Sequence, residues 1–221
     1  MTWYAFWHYL HILILVFWLG TDLGVMLGAK KSKDTALSLE SRMVALQLAL
    51  KLDVIPRIMA ALALPIGMLV ARHLGLVQIG NLGMAVLWLV ALIWIAIGLG
   101  AGATHDKPIG ARIQKILWVY LVILGGALFG AAVWSWIGSG PFADSWLAAK
   151  LAFYGVICWL AIGIDWAFGP GVAAFAKIAA DGSTPELEQA YSASVDNSVR
   201  FVYALYLCLL IIGWLGVAKP L

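Results

Sequence analysis

Two imidazoles and a carboxylate stand in one apolar segment near the start of the chain, WYAFWHYLHILILVFWLGTDLGVMLGAKK. At about 100° per residue, Tyr4, His8, His11, Leu15, Trp18 and Asp22 fall within roughly 80° of one another and form one stripe. The other faces are mostly Leu, Ile, Val and Phe. Hydrocarbon solvates neither imidazole nor carboxylate, so the stripe should face protein, a cofactor or trapped water. A neutral imidazole inside a helical bundle is a usual axial ligand of haem iron. His11 is therefore a candidate metal ligand, with His8 and Trp18 as further cofactor-binding candidates. The alternative is a histidine hydrogen-bonded to a neighbouring carbonyl or hydroxyl. His8 and His11 project from one side of one helix and cannot grip one iron from opposite faces. A sixth ligand must come from elsewhere or be missing. His73, at the far end of the second apolar run, is the candidate at the depth of His8, the alternative being a solvated interfacial histidine. His105, beside Asp106, reads as a solvated loop residue.

A second constellation follows deeper in. Asp22 lies eleven residues after His11, about 16 Å along a helix axis. Asp53 and Arg57 are four apart, Asp165 falls at similar depth in a later apolar run, and Asp196 and Arg200 open the last one. One reading is a set of ion pairs that fixes helix packing. The functional readings are an Arg57 clamp on a haem propionate or a quinone headgroup, and a proton route through Asp22 and Asp165. Lys150 stands in SWLAAKLAFYGVICW about one turn inside a helix end. It can snorkel to the interface, yet Lys150, Tyr154, Ala161 and Asp165 share a face spanning roughly 60°. There its ammonium could serve a propionate or a substrate carboxylate. Asp22 and Lys150 are the candidate catalytic residues.

The elements that must hold these groups are membrane helices. Of the 221 residues, 64% are hydrophobic and 11% charged, and the mean hydropathy is +0.97, too little polar surface to cover a soluble domain. No alternating segments of barrel type are visible. Six spans are expected, at about 3–28, 43–73, 83–104, 113–138, 145–168 and 196–217. The second can begin as an interfacial segment around Met43–Lys51, with Pro56 and Pro65 as kink points. A short helix around Val172–Ala180 can follow the Gly169-Pro170-Gly171 break. The chain reads as a single transmembrane domain over 1–221. Its start lacks a basic region and has too long an apolar run for a cleaved signal peptide.

The net charge of +3 is concentrated in loops and forms no nucleic-acid surface. Lys30, Lys31, Lys33 and Arg42 lie in the first connection, Lys107, Arg112 and Lys115 in the third, and Lys177 and Arg200 flank the fifth. The other side has only Arg72, Lys150 and Lys219. A multi-pass protein of a bacterial-type inner (plasma) membrane, with both termini outside, is the expected arrangement. Trp3, Trp7, Trp134, Trp136, Trp146 and Trp214 then gather at the outer interface as an aromatic belt. Cys158 and Cys208 sit in apolar runs and read as small buried residues.

The segment LHILILVFWLG around His11 resembles the start of the first helix in the HemJ-type protoporphyrinogen oxidase family. WLAAKLAF, carrying Lys150, is similar to that family's WLHAKLAL segment, VAKPL with Lys219 and Pro220 to its closing Lys-Pro run, and the basic stretch with Arg42 to its own. The resemblance touches spans one, two, five and six. It implies a small helical protein that binds haem b and oxidises protoporphyrinogen IX, passing electrons toward the respiratory chain. His11 matches the family histidine proposed as haem ligand and Lys150 the lysine implicated in activity. The family is usually four-helical, so six spans imply a four-helix haem-type bundle with an inserted hairpin over about 80–140. Where the family tends to carry a second histidine this chain reads Trp159, Leu160, Ala161, and His8 is an extra. CopD-type copper-resistance proteins are loosely similar in architecture, but the chain lacks a paired Met or His-rich copper motif.

The expectation is a haem-dependent membrane oxidoreductase or electron-transfer protein. Its partners would be membrane lipid, a quinone, and a partner membrane subunit or second copy. The rivals are a proton-coupled transporter, with Asp22, Asp53, Arg57 and Asp165 lining a wet path, and a non-catalytic subunit whose polar residues are packing devices.

Overall fold

The computed structural model describes residues 3–104, 107–138 and 140–220. Every element in them is helical: α1 (Trp3–Ser32), α2 (Leu39–Leu52), α3 (Val54–His73), α4 (Asn81–Ala103), α5 (Pro108–Trp136), α6 (Ser145–Asp181) and α7 (Pro185–Ala218). A chain without water around it must satisfy each backbone N–H and C=O internally, and long apolar runs do so as helices. Six helical segments are long and apolar enough to cross a membrane, α2 and α3 counting together as one. The protein is thus an all-α multi-pass membrane protein. His105 and Asp106 lie outside the described residues.

Short connections make successive spans alternate in direction. One face of the bundle, here the termini face, holds the start of α1 and the end of α7. The opposite, basic face holds the 33–38 and 182–184 connections, with Lys33 in the first and Lys30, Lys31 and Lys177 on the helix ends beside them. The helices close a ring: α1 packs on α3, then α3 on α4, α4 on α5, α5 on α6, α6 on α7, and α7 returns to α1. The α4–α5 hairpin therefore completes the ring between α3 and α6. The phenol of Tyr120 on α5 donates to the Val90 carbonyl of α4 at 2.7 Å, and Trp94 of α4 is buried in the central core.

Close approach sets the tightest contacts. A Cβ on Gly155 of α6 would lie 2.7 Å from the Gly125 oxygen of α5, and one on Gly125 would lie 2.8 Å from the Gly155 oxygen. Only hydrogen allows this backbone-on-backbone packing, which substitutes in lipid for the hydrophobic drive of soluble proteins. Phe17, Leu27, Val122, Ile123, Leu207 and Leu210 point outward, as lipid-facing residues should.

Three helix boundaries differ from the sequence expectation. Pro56 falls in the first turn of α3, where its missing N–H costs nothing, and the break between α2 and α3 sits at Asp53. The segment after Gly169-Pro170-Gly171 is no separate helix, since α6 runs unbroken to Asp181. α7 begins at Pro185, behind a Thr184 cap whose hydroxyl accepts from Leu187 N at 3.3 Å. Together α6 and α7 carry a second apolar core past the basic end of the ring, with Phe175, Ile178, Tyr191 and Val195 packed under Leu46 of α2. Of the expected aromatic belt, Trp3, Trp134, Trp136 and Trp214 are exposed near the termini face, whereas Trp146 is buried. Cys158 and Cys208 are free and buried.

Candidate functional site

Polar groups inside the ring fall into two layers separated by aromatic rings. The layer toward the termini face starts with His11. Its imidazole turns to α3 and rests on Gly67, where a Cβ would come within 3.0 Å of the His11 Cε1 and 3.6 Å of Nε2. Gly67 is what lets the ring sit between the two helices. The Nδ1 atom is buried with no hydrogen-bond partner among the described residues, so the local-hydrogen-bond reading of this histidine has no acceptor to support it. Lys150 of α6 stands at the same end. Its Nζ lies 6.0 Å from the Trp146 ring centroid, and the Lys219 Nζ lies 5.8 Å from the same centroid. A Cβ at Gly216 of α7 would fall 2.8 Å from the Lys150 Nζ, so the missing side chain makes room for the ammonium. None of the ion pairs among the described residues includes Lys150 or Lys219. Two ammonium groups over one indole, with an imidazole nearby and no carboxylate of the described residues bonded to them, present positive charge to whatever enters.

The other two histidines are placed differently. His8 is exposed and stacks on Tyr4 at 5.4 Å, with its Nδ1 3.4 Å from the phenol. His73 is exposed at the end of α3, its Nδ1 donating to the Leu69 carbonyl at 2.8 Å. With Leu69 and Arg72 it lines a cleft of about 330 Å³. It stands six residues beyond Gly67, roughly 9 Å along the axis, so it is not level with the His11 ring. Among the described residues no group of three or more His, Cys, Asp or Glu side chains converges as a metal cage.

The middle layer is aromatic. Trp18 packs edge-on to Tyr154 at 6.5 Å and 86°, and Trp94 packs on the other side of Tyr154 at 6.5 Å and 70°. All three are buried. The Tyr154 hydroxyl donates to the Ala60 carbonyl of α3. Four helices are thereby joined through one phenol and two indoles.

The third layer lies toward the basic face and is ionic. Arg57 of α3 donates from Nε to Asp53 at 2.6 Å and grips Asp165 of α6 with both terminal nitrogens, at 2.7 and 3.3 Å. Gln114 of α5 donates to the same carboxylate at 2.9 Å. Asp22 of α1 faces Tyr206 of α7 closely enough for the two to interact, but among the described residues neither the buried Asp22 Oδ2 nor the buried Tyr206 hydroxyl makes a well-formed hydrogen bond. The layer holds three carboxylates, Asp22, Asp53 and Asp165, for one guanidinium. Arg57 is over-matched in charge, so an anion such as a propionate would have to displace one of its aspartates. A neutral acceptor, such as a quinone carbonyl, would not. Asp196 is not part of this layer, for it pairs with Lys33 at 2.5 Å. Sequence reasoning missed Gln114, Tyr206 and Trp94; Tyr206 was legible as a hydroxyl within an apolar run, whereas Gln114 is masked by the basic residues Arg112 and Lys115 beside it.

Comparisons of the chain with protein-family models, with curated proteins and with solved structures find no match.

Proposed function

We propose that this chain is a haem b-binding oxidoreductase or electron-transfer protein of a bacterial-type plasma membrane, related to the HemJ-type oxidases and oriented with both termini outside. The observation that carries the reading is His11, an inward-turned imidazole with a buried nitrogen that has no partner among the described residues, on the same end as two lysines with no acidic partner among them. A buried polar atom left unmet costs about 1–3 kcal/mol, a penalty that a ligand bond at the imidazole would remove. His11 would hold the iron, and Lys150 and Lys219 would take the carboxylates of a porphyrin. Arg57 is reassigned, on its charge balance, from anion clamp to a partner of Asp53 and Asp165 that leaves room only for a neutral group such as a quinone headgroup. Haem, when bound, supplies one-electron chemistry, and the protein supplies ligation, orientation and dielectric. Asp22 would hold or pass the proton that accompanies the electron.

A proton-coupled carrier is the second reading. It is favoured by the three-to-one excess of carboxylates over guanidinium and by the unmet Asp22 and Tyr206 oxygens. The test is the visible spectrum of protein purified in mild detergent after expression with haem available. A Soret band that survives His73→Ala and disappears in His11→Ala is expected. A colourless, folded wild type overturns the haem reading, and proton uptake by liposomes containing the protein then tests the carrier.

A further inference from the structure

A cleft of about 810 Å³ opens between α6 and α7, away from His11 and the ionic layer, within the size range of small-molecule sites, about 300–1,000 Å³. Its origin is Pro170. Proline has no N–H to give the carbonyl one turn back and disturbs the helix there. Ser194 of α7 bridges the next rung of the helix: its hydroxyl accepts from Gly171 N at 2.9 Å and donates to the Ala167 carbonyl at 2.6 Å. A Cβ on Gly171 would stand 2.7 Å from that hydroxyl oxygen, so the two helices are pinned together at this point. On the outward side Pro170 and Trp166 face Ala190, Ala193 and Ala204, which are too small to fill the space.

Arg200 is the one charged residue lining this cleft, with Asn197 a turn away. Asp196 is its natural partner four residues earlier, but that carboxylate is held by Lys33 at 2.5 Å. Arg200 is exposed and has no hydrogen-bond or ion-pair partner among the described residues. It stands where the apolar run of α7 begins, and Trp166, 66% exposed on α6, is the residue type that marks the headgroup boundary. Deeper in, the cleft is walled by Leu160, Phe201 and Ala204. An unmatched guanidinium at the interface above an apolar trough on the basic face complements one kind of molecule.

We propose that the α6–α7 cleft is a binding site for an anionic phospholipid, with its phosphodiester on Arg200 and Asn197 and one acyl chain along Leu160, Phe201 and Ala204. Arginine meets phosphate oxygens with two parallel donors, and basic recesses between membrane helices are where anionic headgroups are captured. The site is independent of the haem reading.

The test uses the full chain in nanodiscs made from equal parts phosphatidylglycerol and phosphatidylethanolamine, released into mild detergent and weighed intact by native mass spectrometry. Wild type should retain phosphatidylglycerol in excess over phosphatidylethanolamine. Arg200→Gln should retain about fivefold less, the worth of one interfacial cation. Ala204→Phe, which fills the trough beside Leu160 and Phe201 without touching the charge, should also lose it. Lys177→Gln removes a cation from the same face outside the cleft and should behave as wild type. Equal retention in wild type and Arg200→Gln overturns the site, as does equal loss in Lys177→Gln, which would mean diffuse surface charge. A quinone retained in place of phospholipid and lost in Arg200→Gln also overturns it. Helical circular dichroism and elution volume verify that each variant is folded.

Discussion

Glu188→Ala is expected to unlatch the basic-face end of the molecule. Arg42 is buried, with 5% of its side chain accessible, and Glu188 keeps 15%. The pair is a fork, Nη1 to Oε1 at 2.8 Å and Nη2 to Oε2 at 2.7 Å. Arg42 Nε donates to the Ser32 carbonyl at 2.8 Å, and the guanidinium lies 5.5 Å from the centre of the Phe175 ring. One side chain thus joins α1, α2, α6 and α7. Removing Glu188 leaves a cation enclosed with only a carbonyl and an aromatic face, and breaking a buried pair from one side costs about 3–5 kcal/mol. At about 2–4 °C per kcal/mol for a chain of this length, the thermal midpoint should fall by roughly 6–20 °C. The assay is loss of helical circular dichroism on heating in detergent. Lys31–Asp34 is the internal control: its atoms are 2.8 Å apart, but its side chains are 58% and 38% accessible. The hydrogen bond from Lys31 holds the Asp34 carboxyl below its ordinary range, so this pair acts only above that range and fades as pH falls through it. Solvent screens it, and Asp34→Asn should leave the midpoint unchanged. Arg42→Met with Glu188→Leu should recover much of the loss, because no charge is then stranded. If Glu188→Ala melts with wild type, the enclosure inferred for Arg42 is wrong.

Three further outcomes follow from contacts described above. Gly155→Ala forces a methyl into the Gly125 carbonyl and should cost about 1–3 kcal/mol, seen as a lower midpoint; no change would mean that α5 and α6 are further apart. Ser194→Ala removes the hydroxyl that bridges the Gly171 N–H and the Ala167 carbonyl, a loss of about 0.5–1.5 kcal/mol, with faster amide exchange around Gly171 than in Ser198→Ala as its local signature. Asp22→Asn keeps the shape of the ionic layer and removes its titrating oxygen. Proton-linked turnover or uptake should fall at least tenfold while any Soret band stays in place, and retained uptake would exclude Asp22 from the route.

The stripe on the first helix was legible because lipid forbids stranded polar groups: Trp18 and Asp22 do turn inward. The same rule failed for His8, which lies near the start of α1, where the interface tolerates an exposed imidazole stacked on Tyr4. Arg57, Asp53 and Asp165 were readable as a group, since three ionisable residues at one depth have to meet. Their stoichiometry was not, because the partners Gln114 and Tyr206 come from helices whose rotation only packing fixes. Helix ends were the least legible. Gly169-Pro170-Gly171 reads as a stop, yet α6 continues through it, braced at Gly171 and Ala167 by the Ser194 hydroxyl from another helix, which no local signal announces. Trp146 looked like an interfacial residue and is instead the floor beneath two lysines.

The edge-packed rings of Trp18, Tyr154 and Trp94 form an apolar slab between the two polar layers. Where the layers on either side polarise more readily than the rings, a membrane voltage falls preferentially across the slab, at about 2.3 kcal/mol per elementary charge for each 100 mV crossed. His11 and Asp22 belong to opposite plates of that capacitor. Under the proposed function, a charge passed between them, electron or proton, would cross about 16 Å of the span, and its rate should respond to membrane potential.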